Sequence, residues 1–167
     1  MVMFTRISML CEKNVVSSTF SLMRTKFLSR LLCGWLLLLT ACSSYVRVDM
    51  ITASTLNPDA HHRSLPVQVK IYQLKDQSDF AQASFRDLWL NDKTILGDSL
   101  LSSQSLMLSP SRLTSVRLQP VKGIHYVGMI AIFRQPPLDN WRVMKKLWGQ
   151  FAVIKVALAA NEITILS

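Results

Sequence analysis

Side chains with nucleophilic or metal-binding chemistry are few in this chain of 167 residues. The three cysteines are Cys11, Cys33 and Cys42, and Cys42 alone lies beyond the apolar segment that ends near residue 41. A thiol can form a disulfide, bind a metal ion or carry a covalent group. The segment that starts at Cys42 holds no second cysteine, so it cannot form an internal disulfide.

The histidines and carboxylates do not form a recognisable catalytic or metal site. His61 and His62 are adjacent, and adjacent side chains on an extended chain point in opposite directions, which makes a poor chelating pair. His125 stands before an apolar run and is interpreted as the entrance of a strand. Asp76 and Asp79 flank a predicted helix start, where carboxylates have a structural role. We therefore predict no metal, no cofactor and no enzymatic activity, while a Ser-His-Asp triad assembled from distant residues stays open.

The segment before Cys42 has the organisation of a targeting signal. Residues 23–30 carry three basic side chains, and residues 31–39 are nearly all apolar. This apolar run of nine residues falls within the signal-peptide range and well below the ~20 residues that a spanning helix needs. Leu39-Thr40-Ala41-Cys42 resembles the lipobox of bacterial lipoproteins, in which small residues fit a protease groove and the cysteine thiol carries a diacylglycerol. We predict that residues 23–41 are a lipoprotein signal peptide.

Cys42 is accordingly predicted to become the first residue of the mature protein, with diacylglycerol on its sulfur and an acyl chain on its amino group. Residues 42–44 would form the lipid-anchored N-terminus and residues 45–167 a periplasmic domain. Ser43 stands where an aspartate retains enteric lipoproteins at the inner membrane, so the outer membrane, facing the periplasm, is the expected location. The alternative is a simple signal peptide followed by a chance cysteine.

The residues upstream of Cys42 also bear on the charge and on the start of translation. Residues 1–41 contain five of the 19 basic and one of the ten acidic side chains, which leaves 14 and nine in the mature segment. These basic residues form no run with interleaved aromatics, so we predict no nucleic-acid partner. Residues 1–22 show no clear periodicity, and we predict that they are a start-site overrun or disordered extension, with Met23 as the true start.

Alternation of apolar and polar residues predicts strands through most of the mature segment. Tyr45–Ala53 begins it, and the turn-forming stretch Ser54–Leu65 separates that strand from a second one at Pro66–Leu74. Apolar residues then recur at helical spacing over Ser78–Leu90, with Ser78 as N-cap. Further strands are predicted at residues 105–108, 113–118, 124–133, 151–158 and 162–166. The pattern predicts a mainly β fold, a two-sheet β-sandwich with a short helical insertion.

Aromatic residues occur in two groups. Phe80, Phe85 and Trp89 have helical spacing and are interpreted as core. Trp141 and Trp148 lie in a basic segment, which indicates a partly buried edge covered by the apolar stems of lysine and arginine. Contact of this segment with anionic lipid head groups stays open as the alternative.

A set of short motifs follows the lipobox in a fixed order. They are Leu56-Asn57-Pro58-Asp59, residues 65–74, Phe85-Arg86-Asp87-Leu88-Trp89, Tyr126-Val127-Gly128, Ala131-Ile132-Phe133-Arg134 and Trp141-Arg142. The ordered set resembles the type VI secretion system outer-membrane lipoprotein family (TssJ, also called VasD) over nearly all of the mature segment. One departure is Pro110-Ser111, where the family often has Pro-Gly, and a type I turn tolerates this change.

The resemblance implies a transthyretin-like β-sandwich that anchors and stabilises a trans-envelope complex without catalysis. It implies binding to the periplasmic domain of the inner-membrane subunit TssM, and through it an indirect link to TssL. In the family the loop between the first two strands contacts TssM. Here that loop is Ser54–Leu65, and the predicted contact residues are Leu56, Asn57, Asp59 and Arg63. The alternative is that Asn57-Pro58-Asp59 only shapes the turn.

Two other functions are open from the sequence. A periplasmic ligand-binding or envelope-assembly lipoprotein outside type VI secretion would need a sizeable apolar pocket with convergent polar groups. A lipid-anchored hydrolase would need a nucleophile and a base brought together by the fold.

Overall fold

Two four-stranded sheets form the part of the chain that the computed structural model describes, which is residues 45–149 and 151–166. The predicted signal peptide and Cys42 lie outside these residues. The strands are β1 (Tyr45–Thr52), β2 (Val67–Leu74), β3 (Leu100–Leu108), β4 (Leu113–Leu118), β5 (Tyr126–Ile132), β6 (Arg142–Lys146), β7 (Phe151–Ala159) and β8 (Glu162–Leu166). The predicted two-sheet β-sandwich with a short helical insertion is confirmed.

The first sheet has the order β4-β1-β7-β8 and the second the order β3-β2-β5-β6. In the first sheet β1 is central, antiparallel to β4 and parallel to β7 along its whole length, from Tyr45 beside Phe151 to Thr52 beside Leu158. All pairs in the second sheet are antiparallel. The parallel pairing brings the first and last parts of the described chain together in one sheet.

The main core lies between the sheets. It is built from the inward-facing side chains of the strands, which alternate with side chains on the outer face. Val48 and Met50 of β1, for example, are fully buried. A second core covers the opposite face of the second sheet, where the helices pack, and consists of Tyr72, Leu74, Phe80, Leu88, Leu96, Ile130 and Trp141. Because the second sheet is buried on both faces, β5 has a continuous apolar sequence rather than an alternating one.

The helical insertion consists of three short helices and a 3-10 turn rather than the single helix predicted over Ser78–Leu90. They are α1 (Ser78–Gln82), α2 (Phe85–Leu90), α3 (Asp92–Leu96) and the 3-10 turn Gly97–Ser99. The single-helix prediction is wrong because Ala83 is extended and Ser84 starts a new helix. The Ser84 hydroxyl accepts a hydrogen bond from the Asp87 N–H, and the Asp87 carboxylate accepts one from the Ser84 N–H, which forms a capping box.

The predicted N-cap role of Ser78 is also wrong, since Gln77 precedes α1 and makes no side-chain cap. The N–H and hydroxyl of Ser78 instead donate to the carboxylate of Asp76. The hydroxyl bond is the largest cause that lowers the pKa of Asp76. The Asp76 carboxylate therefore has the structural role that the sequence predicted for it, two residues before the first residue of α1.

Three polar side chains of the second sheet attach the helices to it. Lys70 Nζ donates to the Trp89 carbonyl at 2.9 Å and to the Asp92 carboxylate at 2.8 Å, and the Tyr72 hydroxyl donates to the same carboxylate at 3.1 Å. Burial raises the pKa of Asp92, but the hydrogen bond and the charge of Lys70 lower that pKa by more than burial raises it. The net shift is therefore downward. Arg142 of β6 donates to the carbonyls of Phe80 and Ala83 at 2.9 and 2.8 Å.

The aromatic residues divide between core and surface differently from the sequence-based interpretation. Phe80 is buried as predicted, but Trp89 is 45% exposed on α2. Trp141 is buried at 5% exposure, and its indole stacks edge-on against Phe85 with ring centroids 5.3 Å apart. Trp148 is 79% exposed, so the two tryptophans of the basic segment have different environments.

Candidate functional site

The connections of the sandwich gather at two opposite ends. We call N-terminal end the start of β1 with residues 119–125 and 147–149, which adjoin it through β4, β5, β6 and β7. The helical insertion also leaves and re-enters the second sheet at this end, since Leu74 pairs with Leu100 and with Tyr126. We call distal end the four connections at the other ends of the strands, which are residues 53–66, 109–112, 133–141 and 160–161. Since β1 has eight residues and a strand rises roughly 3.3 Å per residue, the two ends are about 25 Å apart.

The predicted contact loop lies at the distal end, and its first half is fixed by buried groups. Leu56 is fully buried in the main core, and Asn57 is only 3% exposed. Asn57 has a φ of 47°, a left-handed conformation that asparagine tolerates better than other non-glycine residues. These two residues hold the loop in place from the protein interior, and almost none of their surface is accessible to a partner.

The side chain and backbone of Asn57 together connect three parts of the distal end. Its Nδ2 donates to the Pro66 carbonyl at 2.9 Å, and its Oδ1 accepts from the Arg134 N–H at 2.9 Å. Its backbone N–H donates to the carbonyl of Ala160 in the β7–β8 turn at 2.7 Å. The loop is therefore held against two other connections by one residue.

Asp59 and Arg63 close the second half of the loop on itself. Asp59 Oδ1 accepts from the N–H groups of His61 and Arg63, at 2.8 and 2.9 Å. Arg63 Nη2 lies 2.8 Å from Asp59 Oδ2, and the two side chains are 75% and 8% exposed. The backbone hydrogen bond from Arg63 is the largest cause that lowers the pKa of Asp59. The Asp59 carboxylate therefore stabilises the conformation of the loop, while the Arg63 guanidinium faces solvent.

The exposed part of the loop is its tip, residues 60–63. His61 and His62 are exposed, and His62 adopts a φ of 59° that the turn around Asp59 imposes. Of the four predicted contact residues, Arg63 alone offers substantial surface, and the sequence-based reasoning did not include the adjacent histidines. Their position between Asp59 and Arg63 in a tight turn was the available signal.

A second distal connection, residues 133–141, lies beside this loop through the Arg134–Asn57 hydrogen bond. It contains Leu138, which is 96% exposed. The rigid Pro136-Pro137 pair before Leu138 was visible in the sequence. The contact of this connection with Asn57, through Arg134, was not. Together the tip at 60–63 and Leu138 give the distal end an exposed surface with basic and apolar character.

A third distal connection, the β3–β4 turn, is fixed by the buried side chain of Thr52. Its hydroxyl donates to the Ser109 carbonyl at 2.7 Å and accepts from the Arg112 N–H at 2.9 Å. Ser111 in this turn has a φ of 55°, a left-handed conformation that glycine adopts at less cost than serine. The distal end therefore consists of short, internally bonded connections on a rigid frame.

Neither a cluster of metal ligands nor a membrane-spanning helix occurs in the described part of the chain. Within residues 45–149 and 151–166, no group of three or more His, Cys, Asp or Glu side chains could hold a metal ion. Over the same residues, no helix reaches the length and apolarity that crossing a membrane requires. Cys42 lies outside these residues, and its lipidation stays a prediction.

Comparison with known proteins gives one family and several similar structures. A search of curated protein sequences finds no match. The TssJ1 type VI secretion lipoprotein of Pseudomonas aeruginosa has a TM-score of 0.69 and 24% identity, covering 74% of this chain and 95% of that one. Lip of Serratia marcescens, a membrane-bound component of the type VI secretion system, has a TM-score of 0.68 and 20% identity, covering 75% and 99%.

A third similar chain comes from a structure described as the type VI secretion protein TssM C-terminal domain from EAEC. It has a TM-score of 0.66 and 22% identity, covering 74% of this chain and 98% of that one. At these identities the three structures show the fold. The family model described as type VI secretion lipoprotein, VasD, EvfM, TssJ and VC_A0113 matches residues 44–161, which is most of the chain. The chain therefore belongs to the type VI secretion lipoprotein family, as its ordered motifs predicted.

Proposed function

We propose that this protein is a non-catalytic outer-membrane lipoprotein that anchors and stabilises the type VI trans-envelope complex by binding the periplasmic domain of TssM, and indirectly TssL. The observation that carries the proposal is the separation of the two ends. Tyr45, which follows Cys42 by three residues, and the distal loop lie at opposite ends of β1. A membrane anchor at one end leaves the distal surface directed into the periplasm.

The anchor is the diacylglycerol and N-acyl lipid on Cys42. Each buried methylene contributes about 0.8 kcal/mol, so two or three acyl chains hold the protein at the membrane where a single chain would bind only reversibly. Family membership supports lipidation, and the lipobox at Leu39-Thr40-Ala41-Cys42 supplies the site. Removal of residues 23–41 as a signal peptide would make residues 42–44 a short tether and residues 45–167 the periplasmic domain.

The distal surface is the binding site. The hydrogen bonds of Asn57 and Asp59 hold its backbone in one conformation before a partner arrives, which reduces the ordering entropy that binding costs. His61, His62 and Arg63 offer polar contacts, and Leu138 offers a protruding apolar side chain. We therefore refine the predicted contact residues: Leu56 and Asn57 position the loop, and the tip with Leu138 contacts TssM.

Lipidation is tested by comparing Cys42→Ser with Cys33→Ala, which removes a thiol inside the predicted signal peptide. Membrane fractionation and mass spectrometry of the purified protein are the measurements. We expect wild type and Cys33→Ala to fractionate with the outer membrane and to carry acyl chains at an N-terminal Cys42. Cys42→Ser should lose the acyl mass and leave the outer-membrane fraction. An unmodified thiol at position 42 in the native protein would overturn the anchor.

The binding site is tested with Leu138→Ser and Arg63→Ala, measured by the affinity for the purified periplasmic domain of TssM. Truncating an exposed contact residue of this kind weakens binding at least about ten-fold if it lies at the centre of the interface. Leu90→Ser is the matched control, because Leu90 is 54% exposed on α2 and belongs to none of the four distal connections. Equal affinity of both distal variants and wild type would place the interface elsewhere.

A further inference from the structure

The N-terminal end has its own aromatic and basic surface, which the binding of TssM does not use. Tyr45 and Phe151 contact each other edge-to-face on the outer side of the first sheet, with ring centroids 5.7 Å apart. The guanidinium of Arg117 lies 5.1 Å from the centre of the Tyr45 ring. Phe151 is 56% exposed, so a large apolar ring faces solvent beside a cation at the first residue of β1.

Trp148 extends the same end from the second sheet. It follows β6 and precedes Phe151 by three residues, and its side chain is 79% exposed. Lys146 Nζ lies 4.6 Å from the centre of the Trp148 ring, and Lys145 is exposed beside it. The second sheet therefore ends in an exposed ring, Trp148, with a cation over its face. The first sheet ends in an exposed ring, Phe151, beside the partly exposed Tyr45 with its cation. Aromatic rings of this kind are favoured at a membrane–water interface.

The basic groups of this end are not neutralised by the protein. In the part of the chain that the structure describes, none of Arg117, Lys122, Lys145 and Lys146 has a carboxylate within ion-pair distance. Asp49 pairs with Arg47 at 3.1 Å, and Asp76 accepts hydrogen bonds from Ser78 and forms no ion pair with these basic groups.

The sequence limits how far this end can lie from a bilayer. Tyr45 follows Cys42 by three residues, which span at most about 11 Å when fully extended. On the proposed function, Cys42 carries acyl chains inserted in the membrane, so the exposed rings and cations are within reach of the lipid head groups. A tether this short leaves no room for another folded domain between the sandwich and the bilayer.

We infer that the N-terminal end is a second membrane contact that docks on anionic phospholipid head groups. Arg117, Lys145 and Lys146 bind lipid phosphates, and Trp148 and Phe151 insert into the interfacial layer. A cation near an anionic leaflet strengthens binding by roughly five-fold each. The docked contact holds the strands at a steep angle to the membrane, whereas the acyl chains alone would allow the sandwich to tilt about its tether. The inference rests on the lipid anchor, and the test separates the two.

The test uses the lipidated protein, reconstituted into vesicles that all contain brominated acyl chains. One kind of vesicle consists of phosphatidylcholine alone, and the other also contains 30% phosphatidylglycerol. Association with neutral vesicles reports the anchor, and quenching of Trp148 fluorescence by the brominated lipid reports docking. Trp148→Phe identifies the quenched signal, and Trp89→Phe is the control, because Trp89 lies on α2 beside Lys70 in the middle of β2. We expect quenching in anionic vesicles that Trp148→Phe abolishes and Trp89→Phe preserves.

Charge is tested with Lys145→Gln combined with Lys146→Gln. We expect this variant to lower the ratio of docked to undocked protein about 25-fold, because two cations are removed at about five-fold each. The control Arg112→Gln combined with Arg134→Gln, at the distal end, should leave quenching unchanged. Association with neutral vesicles without any Trp148 quenching in anionic ones would overturn the docking inference and leave the anchor intact. No association with neutral vesicles would overturn the anchor itself.

Discussion

Asn57 is the residue whose replacement most directly tests how the distal end is held together. In Asn57→Ala the Pro66 carbonyl and the Arg134 N–H lose their partner, at a cost of about 1 kcal/mol for each hydrogen bond. A left-handed conformation costs alanine about 1 kcal/mol more, since the φ of 47° lies where a Cβ is crowded. The expected loss in the free energy of unfolding is therefore about 3 kcal/mol.

Two companion variants separate these contributions. Asn57→Gly loses both side-chain hydrogen bonds but tolerates the positive φ, so its expected loss is about 2 kcal/mol. Asn140→Ala is the matched control, because Asn140 is an exposed distal asparagine whose amide makes one long bond of 3.4 Å to Glu162. Its effect should stay within about 0.5 kcal/mol.

The assay is urea unfolding of the purified protein followed by tryptophan fluorescence, with the midpoint as the readout and an unchanged slope as a control for compactness. Affinity for the periplasmic domain of TssM is measured on the same samples. A support role predicts that Asn57→Ala lowers both stability and affinity. If Asn57→Ala lost affinity with no loss of stability, Asn57 would contact TssM directly and the assignment of roles within the loop would be refuted.

Two further predictions concern the second core. Gly128→Ala should lower the free energy of unfolding by about 1–3 kcal/mol, because a Cβ there would lie 2.9 Å from the buried Phe80 ring; adding Phe80→Leu should restore part of that stability. Asp92→Asn should flatten the acid limb of the stability profile, since a carboxylate with a lowered folded pKa stabilises the protein above its ordinary pKa of 3.8 and stops doing so as the pH falls through the folded value. An unchanged profile below pH 4 would contradict the role given to Lys70 and Asp92.

The strands that alternate cleanly were predictable, and those with one-sided or weak patterns were not. The bounds of β1 and β2 follow from their alternation, since one face of each is buried in the main core. β3 starts at Leu100, five residues before the predicted start at residue 105, because the edge-strand segment Ser102–Ser105 has no apolar residue that would indicate a strand. β6 was not predicted, because basic residues stand at both of its ends, Arg142 and Lys146. Its apolar residues are also only partly buried, so the sequence shows no clear strand pattern.

The helical insertion shows a local signal that the periodicity concealed. Ser84-Phe85-Arg86-Asp87 has the spacing of a capping box, which was available from the sequence and predicts a helix start at Phe85. The exposure of Trp89 was not available, since it depends on the direction in which α2 crosses the sheet. A short apolar helix therefore has a predictable start and an unpredictable buried face.

The candidate site shows the same limit. The position of the loop between the first two strands followed from its turn-forming residues, and the family model confirms the family whose features suggested that loop. The division between buried Asn57 and exposed Arg63 did not follow, because it depends on Pro66, Arg134 and Ala160, and the last two of these are remote in sequence. The sequence does not distinguish a polar loop residue that stabilises the loop from the interior from one that is exposed on its surface.

The central position of β1 determines how the sandwich would transmit a pull between its proposed lipid anchor and the distal end. Tension from the acyl chains would enter at Tyr45 and run along the strand axis toward the loop that follows Thr52. Hydrogen bonds to β4 and β7 flank β1 on both sides, so the strand would have to slide past two neighbours at once and shear all of these bonds together. A hairpin at the sheet edge would instead unzip one bond at a time. On the proposed lipid anchor, the position of β1 in the middle of the sheet makes the domain resistant to a pull along that strand.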